Sequence, residues 1–179
     1  MESNPIIIFN QWFDEELNLT KVRIPSACCL STIGIDKYPT RFVSLKGIVE
    51  NKFVVTGTLT SRKGLEIDET NKVALTFWWT ETERQVRIQG NAIQISNELS
   101  DKYFAERNRD SQIVSVVSNQ GQQLNDIDTL NKKYQETETK FSNQLLPRPE
   151  NWGGYLIEPI SMEFLEFKPT RFHDRNYIN

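Results

Sequence analysis

Cationic and hydroxyl side chains gather at a few places along this chain, and their types suit the binding of phosphate. Arg41 and Lys46 bracket one short segment, and Ser61-Arg62-Lys63 opens a predicted helix. Arg84-Gln85 begins a predicted strand, and Tyr103, Arg107, Arg109 and Ser111 fall close together. Arg171, His173, Asp174 and Arg175 lie near the C-terminus. At Ser61-Arg62-Lys63, outward-pointing helix amides and two cations would together attract a phosphate. The same pattern also reads as a capped helix with solvated basic residues. Tyr103, Arg107 and Ser111 are spaced four apart. On one continuous helix they would share a face and could grip a second phosphate, or simply form a polar surface. His173 could polarise a substrate, or be an ordinary exposed histidine.

Several chemistries are excluded. His173 is the only histidine, so a multi-histidine metal site cannot form. The chain holds no G-x-G-x-x-G after a strand, no P-loop and no G-x-S-x-G. A nucleotide or flavin phosphate would therefore be held by arginine, lysine and hydroxyl groups.

The elements that must position these residues follow from periodicity. The chain has 179 residues, 37% hydrophobic and 25% charged, which suits one globular domain spanning 1–179. Its net charge of −3 argues against unspecific nucleic-acid binding. No apolar run is long enough to span a membrane, and the N-terminus lacks a signal-peptide pattern. Cys28 and Cys29 are adjacent, which suits neither an ordinary disulfide nor a metal site. A cytoplasmic location is expected. Ile8, Phe9, Trp12 and Phe13 predict a helix over about 5–17. Strands are predicted over 27–32, 41–46, 52–58, 72–79, 84–95 and 154–167, with helices over 61–70, 97–107, 111–118 and 124–141. The fold class is α+β, mainly β. Short connections favour an antiparallel, barrel-like sheet with peripheral helices.

Read together, the clusters resemble the pyridoxamine 5′-phosphate oxidase family. The resemblance rests on Ser61-Arg62-Lys63 followed by NKVALTFWW at 71–79, and on Glu83-Arg84-Gln85-Val86-Arg87. It continues through Tyr103-Phe104-Ala105-Glu106-Arg107, Arg109-Asp110-Ser111-Gln112-Ile113, Asn151-Trp152-Gly153-Gly154 and Arg171-Phe172-His173-Asp174-Arg175. It covers nearly the whole chain. It implies an FMN-binding split β-barrel that works as a homodimer. By the same resemblance, Arg41, Lys46, Thr56, Gly57, Arg62, Lys63, Gln85, Gln120 and Arg175 are cofactor-binding positions, with Arg62 and Lys63 at the FMN phosphate. Lys46, Tyr103, Arg107 and Ser111 would bind the substrate phosphate, and Arg171 and His173 would lie over the substrate ring as the catalytic pair. The implied reaction oxidises pyridoxamine or pyridoxine 5′-phosphate at C4′ to pyridoxal 5′-phosphate, with oxygen as final acceptor.

The chain departs from the family pattern at a few sites. Leu165 stands where a tryptophan packs on the flavin, and leucine can neither stack nor donate a hydrogen bond. Thr56-Gly57 replaces an aromatic-hydroxyl pair, and Gly121 replaces a serine. Asn108 replaces a proline, which predicts a looser turn. Val114 to Val117 lacks the family's small-residue and tryptophan pattern. Asn179 precedes the family's further strand and basic tail. These departures keep two alternatives open: a related FMN oxidoreductase acting on another small ring substrate, and a non-catalytic flavin- or vitamer-binding protein.

Overall fold

A computed structural model describes residues 4–34, 37–124, 126–170 and 172–178. Among these residues the chain forms β1 (Ala27–Thr32), β2 (Thr40–Val49), β3 (Lys52–Thr58), β4 (Lys72–Trp79), β5 (Arg84–Gln94), β6 (Trp152–Glu166) and β7 (Asp174–Ile178). Its helices are α1 (Pro5–Leu19), α2 (Arg62–Thr70), α3 (Asn97–Ala105), α4 (Arg109–Val117) and α5 (Ile127–Lys140).

The strands pair antiparallel in the order β3-β2-β1-β4-β5-β6-β7. A further β3–β6 pairing, from Phe53↔Ile157 to Thr58↔Trp152, closes the first six strands into a barrel. The length of β6 permits this. Its first half pairs with β3 and its second half with β7, along the same edge. Closure leaves β3 with no free edge along that stretch, which protects it from edge-to-edge association.

Alternation decides the faces. Val86, Ile88 and Ala92 on β5 point into the core, while Arg87, Gln89 and Ile93 face out. The β2–β3 hairpin has a two-residue loop with both residues in the left-handed region, Glu50 at φ 50° and Asn51 at φ 61°. That geometry matches the twist of the paired strands. Asn71 ends α2 with φ 52°, a common left-handed helix stop.

Helix α1 begins as its sequence predicts. Asn4 Oδ1 accepts from the Ile6 amide, and Pro5 sits in the first turn. Its apolar face drives Phe9 against Phe53 and Phe77, with ring centroids 4.9 and 5.0 Å away in edge-on geometry. Phe9 is completely buried, a contribution of roughly 2–3 kcal/mol by transfer. A second cluster of Phe104, Ile113, Leu146 and Trp152 ties α3 and α4 to the start of β6. It holds α4 beside the barrel.

Two local expectations change, those for the Asn108 turn and for the strand count, while the predicted separation of the helices around Arg107 holds. No single helix carries Tyr103, Arg107 and Ser111, because the chain breaks after α3 and restarts at Asn108. Asn108 does not loosen this turn: its Oδ1 accepts from the Ser111 amide at 2.8 Å and caps α4. Strand β7 also extends the sheet beyond the six strands that periodicity predicts. Its five residues are mostly polar and exposed, so no alternating apolar signal marks them.

Candidate functional site

A cavity of about 480 Å³ opens between β2, β3, the first residue of β6, α2 and α4. That volume suits a small molecule or cofactor. Its walls carry Lys46, Thr56, Gly57, Lys63, Arg107 and Gln120, and none of its lining residues is acidic.

Each cation is placed by a local feature. Lys63 follows Ser61 at the start of α2, and its Nζ donates to Ser61 Oγ at 2.9 Å. Ser61 occupies the N-cap position but makes no side-chain cap; its hydroxyl donates to the Thr58 carbonyl at 2.6 Å. Gly57 matters here. A Cβ at that position would stand 3.0 Å from Lys63 Nζ, so the missing side chain leaves room for the amine. Burial lowers the Lys63 pKa, and the nearby charge of Arg41 adds to the effect. Burial also lowers the Lys46 pKa, followed by the charge of Arg107, while Glu106 opposes the shift.

Arg107 lies in the break between α3 and α4. Its guanidinium sits 5.1 Å over the Trp152 ring, and Nη2 donates to the Ser111 carbonyl at 3.2 Å. Burial disfavours its charged form. Its Nε and the hydroxyl of Thr56 are buried without a hydrogen-bond partner. Buried donors are costly unless satisfied, so these two atoms mark places for a polar ligand. Lys46, Lys63 and Arg107 form no ion pair with a carboxylate among the described residues. The cavity therefore presents concentrated, partly desolvated positive charge. The residues present fit a phosphate-bearing cofactor or substrate.

Other candidate positions fall elsewhere. Arg41 borders the cavity, yet its guanidinium is tied to Glu66 and Thr32. Arg62 is 59% exposed, pairs with Glu66 and lines a neighbouring cavity of about 310 Å³. Gln120 borders both cavities. Tyr103 packs on the Phe104–Trp152 cluster, and Ser111 meets Arg107 through its backbone carbonyl. Gln85, Leu165 and Arg175 form one row across β5, β6 and β7, and none of them lines the main cavity. Leu165 is buried on that row. His173 Nδ1 accepts from the Lys168 amide, and its ring lies 4.7 Å from Phe167. Arg171 lies outside the described residues.

Sequence reasoning did not single out Glu66 or Trp152 as parts of this site. A glutamate inside a short polar helix looks solvated from sequence alone. Trp152 had a usable signal, since it begins a strand within the Asn151-Trp152-Gly153-Gly154 block.

Comparison with known proteins decides the family. A family model described as pyridoxamine 5′-phosphate oxidase matches residues 15–141. The chain belongs to the pyridoxamine 5′-phosphate oxidase family. Among its relatives, a pyridoxine/pyridoxamine 5′-phosphate oxidase from Acaryochloris marina is 38% identical over 176 residues, covering 98% of this chain and 80% of the relative. One from Flavobacterium johnsoniae is 39% identical over 173 residues, covering 96% and 81%. Among solved structures, PhzG from Burkholderia lata 383, in complex with tetrahydrophenazine-1-carboxylic acid, superposes with a TM-score of 0.91. It is 30% identical, and the match covers 98% of this chain and 86% of that one. A pyridoxamine 5′-phosphate oxidase-related, FMN-binding protein from Nostoc punctiforme shares the fold, with a TM-score of 0.76 at 13% identity and full coverage of both chains. The barrel is the split barrel of this oxidase family, and the chain is a family member with a flavoprotein fold.

Proposed function

We propose that this chain is an FMN-dependent oxidase that converts pyridoxamine or pyridoxine 5′-phosphate to pyridoxal 5′-phosphate, with oxygen as acceptor. The observation that carries this reading is the acid-free cavity, where Lys46, Lys63 and Arg107 converge with two unpartnered buried donors. Family membership supplies the reaction class.

When bound, FMN supplies the two-electron acceptor chemistry, and the protein supplies position and charge. Lys63 and the α2 amides hold the cofactor phosphate, with Arg41 and Arg62 behind them. Thr56 donates its hydroxyl to the bound molecule. Lys46 and Arg107 hold the substrate phosphate, helped by Tyr103 and Ser111. The Trp152 ring lies against the Arg107 guanidinium and helps keep it partly dry, which strengthens its pull on an anion. Arg171 and His173 orient the substrate ring.

Gln85, His173 and Arg175 do not line the cavity of their own chain. In this reading a second copy brings them to it, and the working unit is a homodimer. Mixing a Lys63→Ala chain with an Arg175→Ala chain tests the arrangement. Mixed dimers should regain one intact site and part of the activity.

One observation favours a second reading, in which the substrate is another small ring carrying an anion. The PhzG structure, 30% identical, holds a ring carboxylate. Lys46 and Arg107 would pair with a carboxylate as readily as with a phosphate. The experiment is direct. FMN-loaded protein is given pyridoxine 5′-phosphate, pyridoxamine 5′-phosphate or a tricyclic carboxylate in air, and products are identified by mass. Pyridoxal 5′-phosphate from either vitamer supports the proposal. Turnover of the tricyclic compound alone replaces it with the second reading.

A further inference from the structure

The Glu66 carboxylate is the meeting point of three elements. It lies in the middle of α2 and is only 7% exposed. Oε2 accepts from Thr32 Oγ1 at 2.5 Å and from Arg41 Nη2 at 3.0 Å. Oε1 accepts from Arg62 Nε at 2.8 Å. Thr32 in turn accepts from Arg41 Nη1 at 2.6 Å. The network links β1, β2 and α2 beside the main cavity.

We propose that Glu66 is a positioning residue, which sets the Arg41 and Arg62 guanidiniums for the flavin phosphate. This rests on the FMN reading above.

The donor count supports it. A guanidinium carries five N–H donors. Arg62 spends its Nε–H on Glu66, and both of its terminal nitrogens lack a protein hydrogen-bond partner among the described residues. Those nitrogens form the fork that matches a phosphate. Arg41 is held from behind by Glu66, Thr32 and the Leu30 carbonyl, and it borders the main cavity. Arg41 and Arg62 are both cations. Glu66 holds them with a single negative charge, so the cluster keeps a net positive charge next to Lys63. Preorganised donors bind an anion without the cost of ordering long side chains at the moment of binding.

The alternatives differ in sign. If Glu66 only competed with phosphate for the arginines, its removal would tighten FMN binding. If it only stabilised the fold, its removal would weaken every flavin alike. Riboflavin, which lacks the phosphate, separates these cases. FMN and riboflavin affinities are measured by flavin fluorescence for the unsubstituted protein, Glu66→Ala and Glu66→Gln. The Gln variant keeps the side-chain shape and one acceptor, so it carries the test if the Ala variant does not fold. The expected result is a loss of FMN affinity of about tenfold in the Ala variant and less in the Gln variant, with riboflavin affinity unchanged. Equal losses for both flavins, or tighter FMN binding, would overturn the positioning role. An unsubstituted protein that does not prefer FMN over riboflavin would remove the FMN reading itself, and this proposal with it.

Discussion

Lys63 and Gly57 are close neighbours: the lysine amine stands 3.0 Å from where a Cβ on the glycine would be. The contact is with the far end of a flexible side chain, so the fold can yield. Gly57→Ala should therefore leave the melting temperature within about 2 °C of the unsubstituted value while weakening FMN binding several-fold. Parallel thermal melts and flavin titrations check this. Gly64 makes the contrast. A Cβ there would fall 1.8 Å from the Leu59 carbonyl oxygen, part of the backbone. Gly64→Ala should cost roughly 3 kcal/mol or more of stability in denaturant unfolding.

The Trp152 ring and the Ser111 carbonyl hold the Arg107 guanidinium in place at the cavity wall. Arg107→Met removes the charge and keeps much of the side-chain bulk. Under the proposed function it should raise KM for the phosphorylated vitamers by about 10- to 100-fold, the loss expected for a charge-assisted contact. FMN content should stay the same, as steady-state kinetics and flavin absorbance would show.

The lysines of the cavity set an alkaline dependence. Burial holds Lys46 and Lys63 below the ordinary lysine value of 10.5. Their folded-state pKa values lie below the unfolded ones, so the unfolded chain binds more protons between the two. The ligand-free protein should gain stability from these groups as pH rises through that window. FMN affinity should move the opposite way and fall as the lysines lose charge, beginning below pH 10.5. Titrations from pH 7 to 10.5 check the sign, and Lys63→Arg should move the fall to higher pH.

Much of the barrel is legible in the sequence because its core strands alternate cleanly. The bounds of β1, β3 and β4 follow directly from runs of apolar and β-branched residues. Strand β7 is not legible, since its residues are mostly polar and exposed. The break between α3 and α4 did have a local signal, because asparagine is a favoured N-cap and Asn108 uses its side chain in that way. The cationic positions 46, 63 and 107 are visible as residue types. Their convergence is not, because it depends on barrel closure between β3 and β6. Glu66 is the clearest case of hidden information. Its position in a polar helix suggests solvent and an i,i+4 pair with Arg62, yet packing of α2 beside β1 and β2 also brings it Thr32 and Arg41.

Two buried groups outside the site allow stability tests. Glu16 is 3% exposed, and its carboxylate accepts from the amides of Glu81 and Thr82 and from the Thr82 hydroxyl. It fastens α1 to the β4–β5 turn. Glu16→Ala leaves those donors unpaired and should cost about 2–3 kcal/mol in urea unfolding.

Cys28 is buried, and burial pushes its thiol pKa up to about 12. The thiolate is the reactive form, so alkylation of Cys28 at pH 8 should await opening of the fold, at a rate set by the unfolding rate or by the unfolded population. Peptide mapping after timed labelling checks this. Rapid labelling in the folded state would show that β1 opens locally.

Under the proposed function, the acid-free cavity selects a phosphorylated ring and bound FMN oxidises it. Oxygen uptake by FMN-loaded protein tests this most directly, with pyridoxine 5′-phosphate compared against unphosphorylated pyridoxine. The expected result is steady uptake with the phosphorylated vitamer and a kcat/KM at least about 100-fold lower without the phosphate. Equal rates for the two compounds, or no uptake with either, would contradict it.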